Sequence, residues 1–240
     1  MWSVWSKSLD IYLGHGLAML KAGSGNAVVL RVPAAFSLDR ALSTLIESAA
    51  KDIAVGRRIR LYFSGAICPA FSIAAPKEVT RWQERQQIAH AIAAKNQGVH
   101  ASEINCELDS VHPDIAAAMP IASLEELRRC AHRQGGRIVS MEPLWSAATR
   151  CPAARHSTVQ SFILLEPDAA TMLAYGDKGV FDALTLPGQI DTATLTAHTR
   201  RWLVGHGLAE DKAMKIGFGA TLGVAMPGSP LPWSGHWYQV

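Results

Sequence analysis

What this 240-residue chain has little of already narrows what it can be. Charged residues are 18% of it and the formal net charge is +3. The basic residues are spread along the sequence, so the concentrated positive face of a dedicated DNA- or RNA-binding protein is missing. No stretch approaches the roughly 18 consecutive apolar residues of a membrane span, and the opening MWSVWSKSLDIY lacks the basic start and apolar run of a secretory signal. The expectation is a cytoplasmic protein that does not itself insert into a membrane.

Cysteine is equally sparse. Cys68, Cys106, Cys130 and Cys151 form no C-x-x-C pair and have no histidines at zinc spacing. They read as reduced thiols. A lone C-x-H at Cys130 and His132 and a lone D-x-x-H at Asp109 and His112 read as ordinary structural residues, so no metal is assigned. Ser64, in Phe63-Ser64-Gly65-Ala66, lacks the G-x-S-x-G elbow of a serine hydrolase and reads as a turn residue. Gly14-His15-Gly16 is too short for a dinucleotide fingerprint and joins two strands instead of opening a helix.

What is abundant is apolar residues, 49% of the chain, enough to fill one sizeable domain or two packed lobes. LDIYL, LAMLKA and AVVLRV are separated by glycine pairs, which predicts a three-stranded meander over residues 9 to 32. Ser37 then caps a helix carrying Leu38, Leu42, Leu45, Ile46 and Ala49, and RRIRLYFSG alternates as a strand. The second half repeats the order. QSFILLE, TMLAYG and VFDALTL form a meander, Asp191 caps a helix with Leu195, Ala197, Trp202 and Leu203, and AMKIGFG closes it as a strand. Both halves read β-β-β-α-β, and such duplication says more than any single element.

Between the halves, EVTRWQERQQIAHAIAAKNQG predicts a helix burying Val79, Trp82, Ala89 and Ile92 and stopping at Gly98. EINCELD follows as a strand, Ser123-Leu124-Glu125-Glu126 as a capping box opening a helix through Gln134, GRIVSME as a strand and PLWSAAT as a helix. TRCPAARHST, residues 149 to 158, reads as a linker, which divides the chain into lobes at 1–150 and 151–240. The tail MPGSPLPWSGHWYQV reads as irregular structure.

Two β-β-β-α-β units with insertions resemble the actin-like, or ribonuclease H-like, α/β architecture. Within it, LDIYLGHGLAMLKAG, GGRIVSMEPLWSAA, FILLEPDAATMLAYGDKGVFDALTLPG and KIGFGATLG are similar to the PilM and GspL families of type IV pilus and type II secretion machines. The resemblance implies duplicated lobes, each with a mixed sheet. Lacking a membrane helix, the chain looks like PilM, a protein recruited by a short cytoplasmic peptide of an inner-membrane partner, although it is shorter than typical PilM.

The same template implies what a nucleotide would need. An actin-like ATPase has an aspartate, glycine and a small hydroxyl residue in its first hairpin, but here Ile11, Tyr12 and Leu13 precede Gly14, Asp10 lies too early, and His15 stands where serine or threonine is expected. In the second hairpin Pro167 removes a backbone donor, and Ala169 and Ala170 cannot adopt glycine's positive φ cheaply. The leading expectation is therefore a non-enzymatic scaffold or adaptor, without cofactor, at the cytoplasmic face of the inner membrane. Its partners would be proteins of a pilus or secretion machine, and homodimer formation stays open. Its partner surfaces would include the aromatics Trp2, Trp5, Trp82, Trp233, Trp237 and Tyr238. The alternative is an ATPase or switch with Mg-ATP between the lobes. Gly14, His15, Gly16, Glu166, Asp168 and Thr171 would then surround the phosphates and metal, with Gly217 and Gly219 beneath the base.

Overall fold

A computed structural model describes residues 8–22, 27–33, 36–49, 57–76, 78–150, 159–176, 179–189, 191–218 and 237–239. Strands β1 (Leu9–Leu13), β2 (Leu17–Ala22) and β3 (Val28–Arg31) form the expected meander, followed by helix α1 (Leu38–Ala49) and strand β4 (Arg58–Phe63). β1 runs antiparallel to β2 and parallel to β4. In the second half β9 (Ser161–Glu166), β10 (Ala169–Gly176), β11 (Gly179–Pro187), α5 (Thr192–Gly205) and β12 (Ala213–Phe218) repeat the plan. β9 is antiparallel to β10 and parallel to β12. The duplication is therefore one of pairing as well as of order.

Intervening elements extend both sheets. β5 (Ala70–Ser72), α2 (Trp82–Gln97), β6 (Ile104–Leu108) and β7 (Ile115–Pro120) precede α3 (Ile121–Arg133), β8 (Arg137–Pro143) and α4 (Leu144–Thr149). The first sheet has the order β3-β2-β1-β4-β8. The second runs β13-β12-β9-β10-β11-β5-β7-β6, where β13 is Trp237–Gln239. The insertion thus continues the sheet built on the second half, through Phe71 opposite Leu184.

The cores follow the period of two. Leu9, Ile11 and Leu13 face one way, into a cluster with Leu42, Leu45 and Leu127 under α1 and α3. Tyr12 faces the other way, into a cluster with Trp145, Phe162, Leu164 and Phe218 that spans both halves. Every residue of α4 is buried, and Trp145 donates its ring N–H to the Cys68 carbonyl at 3.1 Å. α4 is therefore a core helix at the junction between the two sheets.

Several local expectations hold and several do not. Asp191 caps α5 by accepting from the Thr194 N–H, and Gly98 ends α2 at φ 64°. Cys68, Cys106 and Cys130 are free and buried, and burial pushes the Cys68 thiol up to about 12. Cys151 lies outside the described residues.

Ser123 is not a cap. α3 starts two residues earlier, at Ile121 with Pro120 before it, because β7 hands directly into the helix without a loop that a side-chain cap could close. Trp82 is not in a buried stripe either. It is the first residue of α2 and 49% exposed, while Ala89 and Ala93 are buried in the core, with Ile88 and Ile92 packed against the same cluster. β5 and β7 had no sequence signal: one is three residues long, and the other, IAAAMP, is alanine-rich and poor in β-formers. The tail ends in a strand, β13, which pairs with β12 where irregular structure was expected.

Candidate functional site

The two hairpins singled out in the sequence meet. The turn between β1 and β2 lies against the turn between β9 and β10, and the chain leaving β4 at Ser64 and Gly65 passes between them. Hydrogen bonds hold each part in place: Gly14 N–H donates to the Leu17 carbonyl at 2.9 Å, and Ser64 N–H to the Leu13 carbonyl at 2.9 Å. Sequence pattern explains the meeting, because β1 and β9 occupy equivalent places in their units and so bring equivalent turns to one junction.

Asp168 is 6% exposed. Its Oδ2 accepts from the His15 backbone N–H at 2.6 Å and from the Ser64 hydroxyl at 2.9 Å, while Oδ1 is buried and has no partner among the described residues. Glu166, half-buried beside it, accepts from the Gly65 N–H at 2.9 Å and from the Tyr12 hydroxyl at 3.1 Å. Each carboxylate therefore crosses from the second half to satisfy a backbone donor of the first.

Space is tight at two glycines. A Cβ on Gly14 would lie 3.0 Å from Tyr12 Oη and 3.1 Å from Asp168 Oδ2. On Gly65 it would lie 2.6 Å from Thr171 Oγ1, inside any tolerable contact. Thr171 is fully buried, and its hydroxyl is 3.2 Å from that of Thr185, which also accepts the Ala70 N–H at 3.0 Å.

Charge at the junction is one-sided. Burial, reinforced by Asp168 and opposed by the Gly65 N–H and Tyr12 hydroxyl, pushes the Glu166 carboxyl up to about 8. Burial first, then Glu166 and Asp168, holds the Tyr12 phenol well above its ordinary range. The Tyr12 ring packs edge-on against Phe218, centroids 4.7 Å apart, so an apolar wall backs the polar contacts.

The structure thus gathers Gly14, His15, Glu166, Asp168 and Thr171 at one junction. The His15 side chain is exposed, with only its backbone N–H engaged, and Gly16, also exposed, accepts from the Val32 N–H through its carbonyl. Gly217 is buried within β12, opposite Leu165 on one side and Tyr238 on the other. Trp2, Trp5, Trp233 and Gly219 lie outside the described residues; Trp237 and Tyr238 are placed by backbone alone, on β13. Asp10 is away from the junction in mid-strand, where Arg60 grips it through two bonds of 2.5 and 2.8 Å. Asp109 accepts from the Val111 and His112 N–H groups and from the Ser146 hydroxyl, so the D-x-x-H pattern is a turn.

Sequence reasoning gave Thr185 no part, named Tyr12 only as a departure from a phosphate hairpin, and placed Ser64 and Gly65 only in a candidate nucleophile motif or a turn. The one available signal was the Ser-Gly pair ending the strand that lies beside β1.

A second feature lies along β8, the edge of the first sheet. A cavity of about 240 Å³ is lined by the length of β8 from Ile138 to Pro143, with Phe63 and Cys68 at its base and Glu107 and Arg128 on its walls. Val139, on this edge, is 39% exposed.

The fold is actin-like: two lobes built on the same β-β-β-α-β plan, with an inserted hairpin and helix. No family model matches the chain, and no curated protein matches it. Solved structures do. One, from Bacteroides thetaiotaomicron, is a protein of unknown function with an actin-like ATPase fold; the TM-score is 0.61 at 9% identity over 85% of this chain and 79% of that one. A second is the cytoplasmic domain of EpsL, an inner-membrane component of the type II secretion system of Vibrio cholerae, with TM-score 0.50, 12% identity and coverage of 88% and 82%. A third is the PilM–PilN type IV pilus biogenesis complex, with TM-score 0.51, 15% identity and coverage of 85% and 66%. Among the described residues no helix is long and apolar enough to cross a membrane.

Proposed function

We propose that the chain is a non-enzymatic, actin-like adaptor of a pilus- or secretion-type assembly at the cytoplasmic face of the inner membrane, and that it holds a protein partner in place of a nucleotide. The observation that carries this reading is the pair of internal carboxylates on the hairpin donors. In a phosphate-binding hairpin, backbone N–H groups point at phosphate oxygens. Here the His15 and Gly65 N–H groups already point at Asp168 and Glu166. An entering phosphate would have to displace both acidic side chains from these donors and then lie beside them. The residues present therefore fit a nucleotide phosphate poorly.

The likeness in fold to EpsL and PilM supports the choice of assembly. The groove along β8 supports a place for the partner. β8 is a sheet edge with an apolar floor and both charge signs on its walls, which suits an extended segment adding as a further strand.

One observation favours the second reading, Mg-ATP between the lobes: the orphaned Asp168 Oδ1 would gain from a cation. Titration calorimetry of nucleotide-stripped protein with ATP and ADP in magnesium, paired with thermal midpoints, separates the two. No heat and no shift at millimolar nucleotide is the adaptor result; micromolar binding with a raised midpoint would overturn it.

A further inference from the structure

At the end of β4 and β8 remote from the hairpin junction, Arg58 stands directly opposite Arg137 in parallel register. Ile59 and Ile138 form the next pair, and Ile59 is fully buried, so the two arginines share the opposite face of the sheet. Both are exposed. Arg60, two residues along on the same face, is neutralised by Asp10. Among the described residues no acidic side chain pairs with Arg58 or Arg137.

Like charges directly opposite one another in a sheet are destabilising, and this chain brings them together by specific means. The Arg137 N–H donates to the Arg57 carbonyl at 2.8 Å, fixing the entry of β8. Gly136 packs closely on the partner strand, since a Cβ there would lie 2.6 Å from Ile59 Cδ1. Beyond the pair the register slips, so that Arg60 meets Ser140 and Val139 is left as a bulge. A hollow of about 520 Å³ opens here, lined by Arg58, Arg137, Ile138 and Val139. The last carbonyls of α3 do not oppose an anion, because Cys130, Ala131 and His132 accept from Gln134, Gly136 and Gly135.

We propose that Arg58 and Arg137 form an oxyanion site for a phosphoryl group, taken either from a small phosphoester or from an anionic lipid headgroup. Two guanidinium groups lining one hollow from paired backbone positions can supply the several donors and the double charge a phosphate needs, and a bound anion would offset the repulsion between them. This site lies a strand length, on the order of 15–20 Å, from the hairpin junction and does not depend on the adaptor reading.

The test uses the full chain, the R58Q/R137Q variant and a control of equal net charge, R31Q/R81Q, whose arginines lie elsewhere on the surface. Calorimetry with inorganic phosphate and pyrophosphate reads the first source. Co-sedimentation with phosphatidylcholine vesicles, with and without phosphatidylglycerol, reads the second. We expect saturable binding in at least one arm, at least about tenfold weaker in R58Q/R137Q, unchanged in R31Q/R81Q, and weakened by salt. A thermal midpoint for R58Q/R137Q equal to or above that of wild type at low salt would show that the pair is not there for stability. Absence of binding in both arms, or equal loss in the two variants, would overturn the site.

Discussion

Asp168 Oδ2 receives two donors from the other half of the molecule, the His15 N–H at 2.6 Å and the Ser64 hydroxyl at 2.9 Å, and so joins the two hairpins through one buried atom. Removing that atom leaves two donors without an acceptor in a closed site, at about 1–3 kcal/mol each. We expect Asp168→Ala to lose roughly 3 kcal/mol in urea unfolding. Formate or acetate should return part of it to the variant and none to wild type. A stability within error of wild type would mean that the junction does not depend on the carboxylate.

Glu166 gives the junction a pH dependence of defined sign. An acid whose pKa is higher folded than unfolded binds more protons in the folded state between the two values, so stability falls as pH rises through that window. With Glu166 pushed up to about 8, the window runs from the ordinary carboxylate range to that value. Glu166→Gln keeps an acceptor for Gly65 and cannot ionise. Its thermal midpoint should fall less steeply than wild type between pH 5 and 8, and parallel curves would contradict the burial of a neutral carboxyl.

Gly65 and Thr171 are coupled by contact. A methyl on Gly65 would meet the hydroxyl of the fully buried Thr171 side chain at 2.6 Å. Gly65→Ala should cost about 1–3 kcal/mol, as overpacking does. In Gly65→Ala/Thr171→Ala the shortest contact is gone, leaving Thr185 Cγ2 at 3.1 Å and Glu166 Oε2 at 3.2 Å, so the double variant should be less destabilised than the sum of the singles. Strict additivity in that cycle would show that the strain lies elsewhere.

Most of the architecture was legible because period and punctuation agree with it. LDIYL and SFILLE are mostly apolar runs and became the largely buried interior strands β1 and β9, and Asp191 and Gly98 mark helix ends where their side-chain and backbone chemistry requires. Elements whose reason is tertiary were not legible. β5 is a strand because the edge of β11 accepts it, and β7 because it lies between β5 and β6, not because AFS or IAAAMP favour extension. The same divide runs through the junction. That Tyr12, His15 and Pro167 depart from the residues of a phosphate hairpin could be read from the sequence, but that Glu166 and Asp168 turn inward onto the His15 and Gly65 donors could not, since it depends on where β4 delivers Gly65.

Two tryptophans test the difference between burial and aromatic content. Trp145 is 1% exposed, bonds Cys68 and lies in the cluster shared by both halves, whereas Trp82 opens α2 half in solvent. Trp145→Ala should cost about 3–5 kcal/mol, the sum of lost transfer energy and the cavity left behind. Trp82→Ala should fall within about 0.5 kcal/mol of wild type, because the side chain closes no cavity. If Trp82→Ala proves as costly as Trp145→Ala, then α2 is held by its first turn and the packing assigned to Ala89 and Ala93 is wrong. If Trp82→Ala leaves stability intact and abolishes retention on an immobilised partner segment, that residue belongs to a partner-binding surface.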